Sequence, residues 1–111
     1  MESNENLFRN MIQSDVVQLN LIQKAKQCMY QYFKDWSKDA LDDCLGVDFN
    51  LDTINNHVKL VKCGVQINVT QDYLFCYNLS FMITSQNNDF LCNYYSYFDI
   101  NGVLLDQFID R

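Results

Sequence analysis

The hydrophobic period of this chain changes at Gly46, and that change limits the folds open to it. Before Gly46, Ile22, Ala25, Met29, Tyr32, Phe33, Trp36 and Ala40 recur at steps of three and four. Asn20, Lys24, Gln27, Gln31, Lys34 and Lys38 take the opposite side. Such spacing predicts an amphipathic helix with one apolar face. After Gly46 the step becomes two, the spacing of half-buried strands. Helix first and strands afterwards predict an α+β domain: a long N-terminal amphipathic helix, plus a short one, packed on a curved antiparallel sheet of four to six strands.

The boundaries follow from local signals. Ser14-Asp15 can cap the first helix, and Ser37 a brief second helix through "KDALDDCL" that Gly46 closes. The helical region is expected over 5–45 and the sheet over 47–110, in a single domain of 1–111. Val47, Phe49 and Leu51 alternate with Asp48, Asn50 and Asp52, which predicts a strand with an acidic outer side. From Val58 to Val69 the apolar phase slips near Lys62-Cys63-Gly64. That is either a tight hairpin or one bulged strand. Tyr73, Phe75, Tyr77, Leu79, Phe81 and Ile83 then line one face of a long strand, and "SQNND" turns the chain. Phe90, Cys92, Tyr94, Phe98 and Ile100 mark the next strand, followed by Asn101-Gly102, a two-residue hairpin signal.

Pairing about that turn sets Ile100 opposite Val103, Phe98 opposite Leu105 and Tyr94 opposite Ile109, all on the core face. Ser96 opposite Gln107 falls on the same face. This polar pair among apolar ones is either a small pocket or an open, wet end of the sheet. The other face receives Tyr95 with Phe108, Tyr97 with Asp106, and Asp99 with Leu104, joined by Leu74, Cys76 and Met82 of the long strand. Aromatic rings bordered by carboxylates suit a protein-binding surface. Cover by the N-terminal arm or by a second copy of the chain is the alternative.

Charge is unevenly spread. Residues 1–38 carry five bases and four acids, and residues 39–111 carry three bases and ten acids, giving the net charge of −6. Phosphate binding needs a basic stripe, so such a chain should repel nucleic acid and attract a basic protein. Asp42, Asp43, Asp48 and Asp52, close together in a stretch without bases, form a candidate docking patch. The longest purely apolar run, Tyr73 to Tyr77, is far below the ~20 residues of a membrane span. The polar start "MESNENLFRN" lacks the marks of a secretory signal, so a cytoplasmic chain is expected.

Chemistry is sparse. Five cysteines without C-x-x-C spacing and a single histidine, His57, argue against zinc. Asp48-x-Asn50-x-Asp52 opens like a calcium loop, but Thr53 and Lys59 stand where that loop needs Gly and Glu. His57 reads as a solvated turn residue. The sequons at Asn68 and Asn78 lie in strand-like stretches. No catalytic set and no cofactor are expected.

"YFKDWSKDALDDCL" resembles the helix-to-helix passage of nuclear-transport-factor-2-like domains, and "YYSYFDINGVLLDQFID" is similar to their closing hairpin. A cystatin-like arrangement fits equally. This chain departs from the first family by entering strand pattern directly after Gly46. The resemblance implies a small-ligand pocket lined by Tyr94, Ser96 and Gln107, with lyase or isomerase chemistry. The small size, acidity and lack of catalytic groups look instead like bacterial immunity proteins, which bind and neutralise a toxin, often a basic nuclease. That likeness of type implies docking through Asp42, Asp43, Asp48 and Asp52, or through Tyr95, Tyr97, Asp106 and Phe108. A homodimer joined through the outer sheet face is a third expectation.

Overall fold

The computed structural model describes residues 20–67 and 75–111. Helix α1 spans Leu21–Lys34 and helix α2 spans Lys38–Leu45. A 3-10 helix over Leu51–His57 leads into four strands: β1 (Val58–Ile67), β2 (Phe75–Thr84), β3 (Phe90–Phe98) and β4 (Leu104–Asp110). The strands form an open antiparallel meander in the order β1-β2-β3-β4. The α+β class and the antiparallel sheet are as the sequence predicts. The helix is shorter than expected, at 14 residues. The proposed Ser14-Asp15 cap, Asn68, Tyr73 and Leu74 lie outside the described residues.

Helix α1 forms because Leu21, Ala25, Met29 and Phe33, spaced by four, make one fully buried stripe. Good helix formers fill the positions between them. The helix stops at Lys34, whose charge suits the helix C-terminus. The Asp35 and Trp36 amides close the last turn on Gln31 O and Phe33 O. Ser37 caps α2 as predicted, its Oγ accepting from the Ala40 amide at 3.2 Å. Gly46 ends α2 at φ 99°, in the left-handed range that favours glycine.

The stretch expected to be the first strand is a turn and the 3-10 helix. Asn50 decides this. Its Oδ1 accepts from the Asp52 amide at 3.1 Å, and its carbonyl accepts from Thr53 Oγ1 at 2.8 Å. Side chains that bond the local backbone compete with a strand ladder. Val47 is accordingly exposed, while Phe49 and Leu51 pack on the rim of the core.

The phase slip after Val58 is a bulge in one strand, with its register shift between Leu60 and Lys62. Val61 is the extra residue and is exposed. A second shift, between Ile83 and Thr84 against β3, leaves Phe90 exposed rather than in the core.

The β3–β4 connection differs from the predicted two-residue turn. Asp99 O accepts from Gly102 N, and Asp99 N donates to Val103 O. Only Gly102 has positive φ, at 81°. The loop is therefore a type I turn over Asp99–Gly102 whose last residue is the left-handed glycine. The Asp99 carboxylate selects this form by accepting from the Asn101 and Val103 amides at 2.8 and 2.9 Å. Phe98 then pairs with Leu104, and a shift between Tyr97 and Phe98 restores the expected register from Tyr97↔Asp106 onward. Leu105 is the residue bulged out. Leu104 consequently takes the core side that Leu105 was expected to fill, and Ile100 and Val103 are exposed at the tip.

The core lies between α1 and one sheet face: Tyr77, Leu79, Phe81 and Ile83 of β2, with Cys92, Tyr94 and Phe98 of β3. Cys44 and Leu45 of α2 and Ile54 of the 3-10 helix close one end. All five cysteines are free thiols.

The glycines give a direct check. Gly64 lies in β1 with open space where a Cβ would stand. Gly64→Ala should be neutral or stabilising by up to about 1 kcal/mol. Gly102→Ala should destabilise by about 1 kcal/mol because of its positive φ. Urea denaturation of both variants measures the contrast, and equal midpoints would contradict the turn assignment.

Candidate partner-binding surface

The side of the sheet away from α1 is built by the alternate residues of each strand. Along β2 it carries Cys76, Asn78 and Ser80, all buried, and then half-buried Met82. Ser80 Oγ and Asn78 Oδ1 are bonded at 2.8 Å. Along β3 and β4 the same side carries Tyr95 opposite Phe108 and Tyr97 opposite Asp106, as predicted. Exposure increases towards β4, where Asp106, Phe108 and Asp110 are all exposed.

The three rings form one stack. Phe108 lies 4.9 Å from Tyr95 and 5.9 Å from Tyr97, with interplanar angles of 25° and 19°. Cross-strand aromatic pairs of this kind stabilise a sheet, typically by about 0.2–1 kcal/mol each. They also hold the rings in fixed orientation, so a partner pays little entropy to order them. Phe108 keeps 42% of its surface exposed, a large apolar group left in water at the centre of the stack. Burial raises the Tyr97 phenol above its ordinary value, and a side-chain hydrogen bond with Asn78 partly offsets the rise. The Tyr97 phenol therefore stays neutral near pH 7.

The second predicted patch is less available. Asp42 pairs with Lys38 at 3.1 Å, and Asp43 with Arg111 at 2.9 Å. Asp52 accepts from the Tyr30 hydroxyl at 2.8 Å. Surface pairs contribute little to stability, but they place a base or a donor on each carboxylate. Asp48 lines an open cleft of about 350 Å³ between the Gly46–Phe49 loop and the Ser85–Asn87 turn. The four acids therefore do not act as one uncompensated cluster. His57 is half-buried with its ring 5.5 Å from Phe49, rather than fully solvated.

The three residues expected to line a pocket separate. Ser96 is fully buried and donates to Leu79 O at 2.9 Å, which satisfies its hydroxyl without a cavity. Tyr94 is also buried, and its hydroxyl donates to Gln107 Oε1 at 2.5 Å. Gln107 alone of the three reaches an open groove of about 310 Å³, shared with Cys28, Tyr32, Trp36 and Leu104. Sequence reading missed the helical wall of this groove. The signal for it was Trp36, placed just beyond the end of α1.

Among the described residues, no three His, Cys, Asp or Glu side chains are grouped to hold a metal ion. Among them also, no helix is long and apolar enough to cross a membrane. No protein-family model matches the chain, and neither the curated proteins nor the solved structures contain a significant match to it.

Two buried acids of the core set a pH dependence. Burial pushes the Tyr94 phenol well above its ordinary value of 10.0 and the Cys92 thiol from 9.0 up to about 12. Both are neutral when protonated, and the folded state holds the proton more tightly. Their contribution is complete below the unfolded values and is lost as pH rises past them. Stability should therefore be flat through neutral pH and fall from about pH 9 upward. Each group should add up to about 1.4 kcal/mol per pH unit to the slope between its two values. Urea midpoints measured from pH 7 to 11 test this, and an unchanged midpoint at pH 11 would contradict it.

Proposed function

We propose that this chain is a non-catalytic protein-binding module that docks a basic protein through the open face of β3 and β4. The observation that carries the reading is the exposed Phe108 held between Tyr95 and Tyr97. Rigid aromatic side chains at the centre of a patch, with polar groups at the border, are where binding energy concentrates. Asp106 and Asp110 border the stack on β4. They favour a partner of opposite charge and repel phosphate backbones. The net charge of −6 adds long-range attraction to the same class of partner.

Within that class, the reading that fits best is an immunity protein that binds and neutralises a basic, nuclease-like toxin. A small acidic chain that occludes a basic active surface needs a rigid face and carboxylates, and no chemistry of its own. Tyr95, Tyr97, Asp106 and Phe108 are the proposed interface. The carboxylates of Asp42, Asp43 and Asp52 are secondary because each is already engaged within the chain.

Affinity capture from the native host, with the full chain as bait, tests the proposal. The expected result is a basic protein retained at low salt and released as ionic strength rises. Phe108→Ala should weaken that complex by at least about 30-fold, or roughly 2 kcal/mol, in calorimetric titration. An unchanged affinity for that variant, or a stable homodimer by light scattering that covers Phe108, would sink the reading.

A further inference from the structure

We infer that the groove between α1 and β4 is a socket for one arginine side chain, supplied by the basic partner. This inference rests on the partner reading above and names the group that the partner inserts. The groove lies on the core side of β4, around the sheet edge from the Phe108 stack.

Its walls are aromatic. Tyr32 and Trp36 stand edge to face at 5.5 Å, Trp36 is braced by Phe33 at 5.0 Å, and Tyr32 is braced by Tyr94 at 5.8 Å. Two of these rings, Phe33 and Tyr94, are fully buried, so the walls are backed by the core. Trp36 and Tyr32 are only half-buried and offer open ring surface. Gln107 forms the β4 side, its Oε1 already holding the Tyr94 hydroxyl.

The charge in and around the groove is negative at this end. Asp35 lines it, with one carboxylate oxygen accepting from Gln31 Nε2 at 3.0 Å. Asp106 is near enough for its charge to help hold the Tyr32 phenol above its ordinary value, after burial and Cys44. Lys24 acts on Cys28 of the lining, and its Nζ reaches Gly102 O at 3.5 Å. Among the described residues, none that lines the groove is basic.

Aromatic faces beside a carboxylate select a cation that can stack and bond in one plane. That describes guanidinium better than ammonium. The volume, about 310 Å³, is at the small end of ligand sites and suits one long side chain rather than a cofactor. An exposed cation–π contact gives a factor of about two to five in affinity, and a charge-assisted bond to Asp35 adds to it.

Trp36 is the single tryptophan of the chain, so intrinsic fluorescence reports on this groove. The full chain is titrated with N-acetyl-arginine amide, and separately with the uncharged citrulline analogue, at fixed ionic strength. The expected result is a saturable change with the arginine compound in the millimolar range, and none with citrulline. Asp35→Asn, at an exposed position, should weaken it about fivefold or more. No saturation, or equal responses to both compounds, overturns the socket. Saturation by arginine amide in a chain that captures no basic protein overturns the partner reading and keeps a cation site. Capture of a basic protein with unchanged affinity for Asp35→Asn overturns the socket and leaves the partner reading intact.

Discussion

The seating of α1 on the sheet is the contact on which the other features depend. Leu21, Ala25, Met29 and Phe33 have no exposed surface, and they meet Leu79, Phe81, Ile83 and Tyr94 across one interface. Removing a side chain as large as Met29 or Phe33 from such a site typically costs about 2–5 kcal/mol, a large share of a domain's net stability. The same seating fixes Tyr32 against Tyr94, and so it sets the distance between α1 and β4 that opens the groove. With α1 on one side, the sheet can carry its aromatic stack only on the other. One packing decision therefore creates both candidate surfaces.

The features that sequence made legible are those governed by period and by strong local signals. Ala25, Met29 and Phe33 of the α1 stripe, the Ser37 cap, Gly46 and the order of the last two strands belong to that group, whereas Leu21 rather than Ile22 heads the stripe and Ala40 is exposed. Sequence failed where a short polar side chain chose the backbone path. Asn50 turned an alternating pattern, Val47 to Asp52, into a turn and a 3-10 helix. Asp99 turned an expected two-residue hairpin into a three-residue loop. Six alternating residues contain too little information to outweigh two hydrogen bonds of that kind.

The hairpin shows how a wrong turn can still give a right surface. The longer loop moves the pairing by one residue, and the bulge at Leu105 moves it back. Tyr95↔Phe108 and Tyr97↔Asp106 are therefore paired as expected, while Leu104 and Leu105 exchange roles between the two shifts. The acidic patch was less legible for another reason. Its carboxylates are matched by residues far off in sequence, Arg111 for Asp43 and Tyr30 for Asp52, at separations of 68 and 22. Only the fold brings those partners close.

Strand β4 is the edge of the sheet, with Gln107 on the groove side and Phe108 on the open side. An edge strand normally invites another strand to add to it. Here the bulge at Leu105 breaks the ladder, and the Gln107 amide is already bonded to Asp106 Oδ1 at 2.8 Å. Backbone pairing with a second chain is thus discouraged at the strand that lies between the two candidate surfaces. A partner that engages this edge must do so through side chains. On the proposed reading, it would clasp β4 between an apolar contact on Phe108 and an arginine in the groove. Recognition by side chains at two separate points is more selective than strand addition, whose backbone bonds any extended segment can make.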